Sequence, residues 1–465
     1  MGVRISVAVL AACCVWCAAE ARAQSFGDAP PFGPSGGWGD PQFGAFPPGA
    51  GGPGIFPAGA YGGGPAAGGY PAAHAFAADT PDSYPGPNGR LGAGPAHPEG
   101  CPCPECQQPS ILERVWGMDA MLVNAFTPPL TGSRIRAEYL HWRFENPGDR
   151  LLGEPLSTVE NPQSTFPIFD LFGNQIGTGR VPTLGDINLK DVPGLRLTYV
   201  QPLRFGDFEL SGLVFNQKSD DGAATFLPNT RPIPNLVLSA TSTQLDGQLS
   251  NNIQIWDEAF IYSYKVDVWG LDARVVVDTA SEDEGFHLKP AYGLRVLHLE
   301  EHMKQMGVFT NQGFRPPQVG IVDVKTRNYF YGPMIGGRAE FAHRWFQLGV
   351  DPSVTLGLNT YAARVATENF AALGDPKFVT KTNQTDFSPV LELKAWLRIP
   401  VSENCSLFGG YTILYAPKTA RPASSVVYDV SRANLLEPKS NTHARKNLEE
   451  WDAHGFNVGL EFLFP

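Results

Sequence analysis

The feature that most constrains this chain is an alternation of apolar and polar side chains with a period of two residues, which recurs from Arg134 to Phe464. Leu195 and Leu197, for example, flank Arg196. Successive side chains of a β-strand point to opposite faces, so each of these segments has one apolar face and one polar face. The pattern predicts an all-β region over residues 134–464.

A soluble sandwich of two antiparallel sheets has the same alternation. Two properties of this chain favour a membrane barrel instead. The polar faces carry Arg, Glu, Lys and Asp in the middle of strands, which suits an enclosed polar interior. The apolar faces are rich in aromatic residues, as the lipid-facing bands of outer-membrane barrels are.

The connections between the predicted strands support the barrel. The predicted strands are 134–144, 192–201, 206–216, 256–278, 286–299, 327–341, 345–358, 388–399, 405–416 and 453–464. Connections after the second, fourth, sixth and eighth strands are short, and the others are long. This alternation predicts a transmembrane, antiparallel, up-and-down β-barrel of about ten strands with both of its ends in the periplasm. Twelve strands are the alternative, if a long connection contains a further hairpin of the barrel.

The fourth predicted strand is unusually long, and its apolar residues change parity within it. Apolar side chains occupy even positions up to Val268 and odd positions from Leu271 onwards. An extra residue in one strand shifts the alternation in this way. We therefore expect a β-bulge at Gly270.

The first 23 residues have the pattern of a cleavable signal peptide. Arg4 is followed by an apolar run from Ile5 to Ala19 and by the small-x-small site Ala21-Arg22-Ala23. This run is shorter than the roughly 20 residues of a spanning helix, which disfavours the alternative of a membrane anchor. The pattern predicts export, with a mature chain that begins at Gln24.

Residues 24–109 are rich in Gly, Pro and Ala, and we predict that they form a disordered periplasmic tail, because such a sequence buries too little apolar surface to offset its ordering entropy. Residues 110–126 follow as a predicted short amphipathic helix, opened by a capping box of Ser110 and Glu113. The barrel domain is predicted over 134–464.

A cysteine cluster near the end of the tail contains Cys101, Cys103 and Cys106. The cluster could form a disulfide or bind a soft metal ion. Zinc sites have four ligands in paired spacing, and a fourth ligand is missing nearby. The oxidising periplasm favours a disulfide, with Cys405 as a further candidate partner. No cofactor is expected.

Charged side chains on the polar faces of the strands are the candidate functional residues, because they are predicted to face the barrel lumen. They are Arg136, Glu138, Arg196, Glu209, Glu258, Asp272, Arg274, Lys289, Arg295, Arg327, Arg338, Glu340, Glu392, Lys394, Arg398 and Glu461. In a water-filled pore, opposed acidic and basic walls would tune ion selectivity. In the alternative, these charges pair across the lumen and fill it, since open channels are typical of barrels with 16–18 strands.

Two classes of function are disfavoured. The formal net charge of -11 disfavours nucleic acid as a partner, because binding to nucleic acid depends on many cations that displace its counterions. The acidic and histidine residues of the predicted barrel are accompanied by no Gly-x-Ser-x-Gly or His-Glu-x-x-His motif, so no enzymatic activity is expected either.

Several motifs, in their order along the chain, resemble the signature of a β-barrel porin family of planctomycete outer membranes. These motifs are Ala137–Trp142, Tyr292–Arg295, Leu297–Glu301, Thr326–Gly332, Gly336–Glu340, Leu407–Tyr415, Arg421–Pro422 and Asn457–Phe462. The resemblance runs over most of 134–464. It implies an outer-membrane location and a barrel, and the family's label of porin is itself inferred from fold.

The sequence therefore predicts an outer-membrane barrel in contact with outer-membrane lipid, acting as a porin-like passive pore for small hydrophilic solutes or ions. The alternative is a sealed structural or adhesion barrel that displays its external loops. In that alternative, the tail contacts periplasmic or cell-wall components. The sequence does not define an oligomeric state.

Overall fold

A computed structural model describes residues 132–156, 166–169, 175–225, 237–279, 285–309, 318–431 and 438–464. The predicted signal peptide, tail, cysteine cluster and amphipathic helix lie outside the described residues and stay predictions. Among the described residues, no helix is both long enough and apolar enough to cross a membrane.

Ten antiparallel strands form a closed ring. They are β1 (Arg134–Phe144), β2 (Val192–Leu203), β3 (Gly206–Phe215), β4 (Ala259–Val277), β5 (Gly285–Phe309), β6 (Gln318–His343), β7 (Phe346–Thr355), β8 (Val390–Ser402), β9 (Cys405–Ala420) and β10 (Leu448–Leu463). Each strand pairs with the next along the chain, and β10 pairs with β1 from Arg134↔Leu463 to Phe144↔Ala453. The predicted up-and-down barrel of about ten strands is confirmed.

The outward face of the ring is the apolar face. Tyr139, Leu294 and Phe456 are 55%, 64% and 63% exposed, and they belong to a band of exposed large apolar side chains around the ring. Lipid cannot hydrogen-bond to a bare strand edge, and closure of the ring pairs the backbone groups of every strand. The band is therefore the surface that faces lipid.

The two ends of the barrel differ in their connections. Strands β6 and β7 are joined by residues 344–345, and β8 and β9 by residues 403–404. At the turn from β2 to β3, Gly206 has a φ of +148°, and a Cβ there would lie 2.0 Å from the carbonyl oxygen of Val276. We call this end, which also holds the start of β1 and the end of β10, the short-turn end, and the opposite end the long-loop end.

The long connections contain further strands at the long-loop end. These are Phe166–Phe169, Gln175–Arg180, Lys218–Thr225, Val237–Leu245, Gln248–Trp256, Leu358–Glu368, Phe378–Phe387, Val426–Val427, Asp429–Ser431, Lys439–Ser440 and His443–Ala444. Lys218–Thr225 pairs with the outer part of β4, and Leu358–Glu368 pairs with the outer part of β6. Hairpins do occur in the long connections, but they extend the wall beyond the ring, and the ring has ten strands.

Strands β4, β5 and β6 continue well beyond the 9–11 residues that a membrane strand needs. β4 pairs with β5 without interruption from Val276↔Ala291 to Ala259↔Val308. The β-bulge predicted at Gly270 is therefore wrong. On the short-turn side of Gly270, the apolar residues face lipid; on the other side, apolar residues such as Val268 are fully buried inside the barrel.

The parity change thus marks the point where a strand leaves the lipid and its apolar side chains switch from the outward face to the inward face. We call this switch the inversion. Strand β1 inverts between Tyr139, which is exposed, and Leu140, which is buried. Strand β10 inverts between the buried Ala453 and the exposed Phe456. Within the band the apolar residues point outward to lipid, and above it they point inward to a core, because the solvent outside the wall is then water.

Candidate functional site in the barrel lumen

The lumen next to the lipid-facing band is lined by charged residues that alternate with the lipid-facing ones. Arg274 on β4 and Arg338 on β6 lie between the carboxylates of Glu209 on β3 and Asp351 on β7. The four nitrogen–oxygen distances are 2.7 to 3.0 Å. Trp396 donates its indole N–H to Asp351 Oδ1 at 2.9 Å. Side chains from five strands thus meet across the ring.

A second ionic cluster lies beside the first. Arg295 Nε donates to Asp272 Oδ1 at 2.7 Å, and an Arg295 Nη2 hydrogen bond reaches Glu392. Lys394 Nζ lies 3.1 Å from Glu392 Oε1, and Arg196 Nη2 lies 3.7 Å from the same oxygen. Arg196 lies on β2, Asp272 on β4 and Arg295 on β5, while Glu392 and Lys394 both lie on β8. Because β8 is not adjacent to any of the other three strands, this cluster also crosses the lumen.

A third cluster continues toward the short-turn end. Arg136 Nε lies 3.0 Å from Glu138 Oε1, and Arg398 Nη2 lies 2.8 Å from Glu461 Oε1. The guanidinium of Arg136 stacks 4.1 Å from the centre of the Phe408 ring. At the rim, Lys289 lies 2.8 Å from Glu340. The cations and carboxylates of the lumen thus form a nearly balanced network.

The network leaves almost no free space. The cavity among Arg136, Glu138, Arg196, Arg338 and Lys394 has a volume of about 10 Å³. A single water molecule needs roughly 10–15 Å³ on the same measure. The charged side chains that line this cavity therefore leave little room for water between them.

A layer of apolar side chains covers the ionic network on its long-loop side. Trp142, Phe144, Phe215 and Trp451 are at most 2% exposed, and the ring centres of Phe144 lie 5.1 Å from Phe215 and 5.9 Å from Trp451. Trp142 Nε1 donates to Asn457 Oδ1 at 2.9 Å, which ties this layer to the polar layer beneath it. The lumen is therefore closed twice, by ions and by aromatic packing.

Above the apolar layer, the buried side chain of Arg421 forms ion pairs that hold the long connection after β9 against β5 and the end of β1. Arg421 Nη2 lies 3.2 Å from Glu301 Oε1, and its Nη1 lies 3.1 Å from Glu145 Oε2. Arg421 also donates to the backbone oxygens of Glu145 and Asn146. Burial alone would lower the pKa of Arg421, but the carboxylates of Glu301 and Glu145 hold it above its usual range.

The structure places most of the predicted lumen residues inside the ring, with two exceptions that need correction. Glu258 is exposed just before β4, at the long-loop end. Arg327 points outward from β6 and pairs with Glu300 at 2.7 Å. Glu258 is exposed because it lies in the two-residue turn between Trp256 and the start of β4. Arg327 lies beyond the inversion, where the polar face of a strand faces water outside the wall.

Four lumen residues were missed by the sequence reasoning: Asp351, Trp396, Phe408 and Asn457. Asp351 had a usable signal, since it has the parity opposite to the apolar Leu348, Val350 and Val354. Cys405, at the short-turn end, forms no disulfide with any described residue, and its predicted partners in the cysteine cluster lie outside the described residues. Among the described residues, no group of three or more His, Cys, Asp or Glu side chains could hold a metal ion.

The closed ring, its lipid-facing band and its polar lumen define the class of outer-membrane β-barrels. Residues 220–464, more than half of the chain, match the family described as "Putative beta barrel porin-7". The chain belongs to this family, and the resemblance drawn from its motifs is confirmed.

Other comparisons are weaker. No curated protein matches the chain. Among solved structures, the outer membrane protease OmpT from Escherichia coli is 9% identical with a TM-score of 0.38, over 72% of this chain and 97% of that one. A FadL homologue from Pseudomonas aeruginosa is 9% identical with a TM-score of 0.23, over 72% and 90%. An anion-selective porin from Comamonas acidovorans is 8% identical with a TM-score of 0.11, over 71% and 100%. Similarity at this level carries no functional information.

Proposed function

We propose that this protein is a sealed outer-membrane barrel that displays the β-structure of its long-loop end at the cell surface. The observation that carries the proposal is the packing of the lumen, where the cavity among the central charges has a volume of about 10 Å³. Passive diffusion of hydrophilic solutes requires a continuous aqueous path. A ring of ten strands is also narrow compared with the 16–18 strands of open porins.

The displayed part is a substantial structure. Trp256, at the end of an outer hairpin, is 2% exposed and donates its indole N–H to Thr241 Oγ1 at 3.0 Å. Its ring covers Gly307 and Gly320, which pair with each other at the tip of β5 and β6. Such packing holds the outer strands in a defined shape, as a display or adhesion surface requires.

The orientation follows from the two kinds of connection. Outer-membrane barrels have short turns in the periplasm and long loops outside. We therefore place the short-turn end, and with it both ends of the barrel, in the periplasm. Export by the cleavable signal peptide 1–23 leaves the tail 24–109 on the same side, where it contacts cell-wall material. We assign the protein no catalytic step.

A passive pore is the second candidate, and the family description of a porin favours it. Conduction would require the ionic clusters to separate. For example, Arg338 would have to leave Glu209 and Asp351, to which it lies within 3.0 Å. The apolar layer around Trp142 and Phe215 would also have to open.

Solute efflux from vesicles tests the proposal. Purified protein is folded into vesicles loaded with a small sugar, and the folded fraction is measured by heat-modifiable gel migration. We expect efflux no faster than from protein-free vesicles, while a 16-stranded porin in parallel vesicles releases the sugar. Efflux that scales with the folded fraction and falls with solute size would instead establish the pore.

The role of the tail has its own test. Removal of residues 24–97 should leave folding and insertion of the barrel unchanged, because the described barrel starts near residue 132. It should reduce the amount of protein that sediments with purified cell-wall material. Equal sedimentation of the full-length and shortened proteins would exclude the tethering role.

A further inference from the structure

The outer wall carries a row of basic residues, four Lys or Arg and one His, that are paired directly across five adjacent strands. Lys265 on β4 is opposite His302 on β5, which is opposite Lys325 on β6. Lys325 is opposite Arg364, and Arg364 is opposite Lys381 on the last strand of the wall. We call these five residues the basic row. All five occupy the outward face, because the positions next to them, such as Val266, Val324 and Val365, are buried inside.

Part of this row is unfavourable by itself, since Lys325, Arg364 and Lys381 are like charges directly opposite each other in a sheet. The wall compensates it only in part. Glu300 pairs with Lys325 at 2.5 Å, and Asp323 lies 3.2 Å from His302 and 3.5 Å from Arg364. Lys265 and Lys381 form no ion pair with any described residue. Lys265 and Lys381 are therefore the cations of the row that an anion from outside the chain can contact.

The position of these charges is selective. The whole chain has a formal net charge of -11. The outward positions above the lipid-facing band carry Glu450, Asp452 and His454 on β10, and His141 and Arg143 on β1. The wall formed by β4, β5, β6 and the two strands that follow carries the basic row, and Lys304 also points outward there, one row above.

The level of the row relative to the membrane indicates the anion. Trp269, His298 and Tyr329 form an aromatic stack on the same face, with ring centres 5.3 and 4.5 Å apart, as residues at a membrane interface do. The basic row lies four residues further along each strand. This is about 13 Å along the strand, or about 10 Å in height for a tilted barrel strand.

A height of about 10 Å exceeds the roughly 5–8 Å of an ordinary phospholipid interface. It matches the level of a larger headgroup, in which sugars carry phosphate above the acyl chains. Long Lys and Arg side chains can also reach several ångströms down the wall toward such groups.

We propose that the basic row binds phosphate groups on the saccharide headgroup of a glycolipid in the outer leaflet around the barrel. The proposal rests on the orientation given above, with the long-loop end outside. It does not depend on whether the lumen conducts. The lipid would hold the wall at a fixed height and neutralise the repulsion within the row.

Binding of purified full-length protein to phosphorylated lipopolysaccharide, at physiological salt, tests the proposal. The probes are the intact lipid, the same lipid after dephosphorylation, and inorganic polyphosphate. The variant K265Q/K304Q/K381Q removes three cations that form no described ion pair. The control R143Q/K190Q/R204Q removes three exposed cations elsewhere on the described surface, so that both variants have the same net charge.

We expect the wild type and the control to bind the intact lipid equally. We expect K265Q/K304Q/K381Q, which removes two cations of the basic row and Lys304 above it, to bind about 100-fold more weakly, since each cation near a lipid surface contributes about a factor of five. Dephosphorylation of the lipid should weaken its binding to the wild-type protein by a similar factor. Equal binding by the row variant and the control would overturn the proposal, and so would binding of polyphosphate as tight as that of the lipid. A wrong orientation would be detected separately, by labelling of introduced cysteines.

Discussion

At the scale of single residues, Arg274 shows how the lumen is stabilised. Its guanidinium lies 2.7 Å from Glu209 and 2.8 Å from Asp351, and all three side chains are nearly buried. A buried ion pair adds little net stability over an apolar pair of the same size, because both charges lose their hydration. Loss of one partner, however, leaves the other charge buried and uncompensated.

We therefore predict that Arg274→Met lowers the free energy of unfolding by about 3–5 kcal/mol. Adding Asp351→Asn to this variant should recover part of the loss, since it removes a carboxylate that Arg274 no longer neutralises. Urea unfolding of the barrel in lipid vesicles, followed by tryptophan fluorescence, measures both. Arg143→Gln, at an exposed position, is the control, and a loss for Arg274→Met no greater than for this control would contradict the prediction.

The sequence predicted the lumen residues well where the parity of a residue within its own strand determines whether its side chain points inward. Arg136, Glu138 and Arg196 were predicted from parity alone. Arg327 was misplaced because beyond the inversion the polar face of the strand points outward. Glu258 was misplaced because it lies in the turn before β4 and not within a strand. Which charges meet, as Arg274 and Asp351 do, depends on strands on different sides of the ring, and no local pattern encodes that contact.

At the scale of elements, strand β5 passes through two environments. From Phe286 to Leu294 its even positions are apolar and face lipid, and further on its odd positions Leu297 and Leu299 are buried inside the wall. The strand stays in register with β4 and β6 throughout. The outward face of β5 is therefore apolar in the half of the strand that lies in lipid and polar in the other half.

Because the outward face of β5 is apolar in one half and polar in the other, we predict that a charged residue is destabilising in the first half and tolerated in the second. Tyr292→Arg, in the middle of the lipid-facing band, should cost about 2–4 kcal/mol of stability. Met306→Arg, on the same outward face beyond the inversion, should cost less than about 0.5 kcal/mol. Urea unfolding in vesicles compares the two. Equal costs would mean that the outer half of β5 is also in lipid.

The element boundaries explain what the sequence could and could not predict. Strands within the band, such as β1, were predicted to the residue, because apolar alternation with one parity marks them. The outer parts of β5 and β6 were missed as strands, since the inverted parity looked like the end of the pattern. The outer strand Phe378–Phe387 was also missed, because its residues from Thr380 to Asp386 are polar on both faces.

At the scale of the whole molecule, the orientation can be measured with a matched pair of cysteines. In a variant with Cys101, Cys103, Cys106 and Cys405 replaced by Ser, Leu373→Cys introduces an exposed thiol at the long-loop end, and Glu403→Cys introduces one at the short-turn end. A membrane-impermeant maleimide should label position 373 on intact cells. It should label position 403 only after the outer membrane is permeabilised, and the reverse pattern would invert the topology.

Whether the barrel conducts could not be predicted from its sequence, which left a filled and an open lumen as alternatives. Ten strands set the width of the ring, but the filling depends on side chains such as Arg338 and Trp396 that meet across it. Packing of that kind is a property of the closed ring as a whole.

The most direct test of the closed lumen is the electrical conductance of single folded barrels in a planar lipid bilayer. Insertion is verified independently, by heat-modifiable migration of protein recovered from the same membranes. We predict a current that stays at the level of the bare bilayer at moderate voltage. Stable current steps of uniform size, proportional to the salt concentration, would show an open aqueous path and contradict a lumen closed by its own side chains.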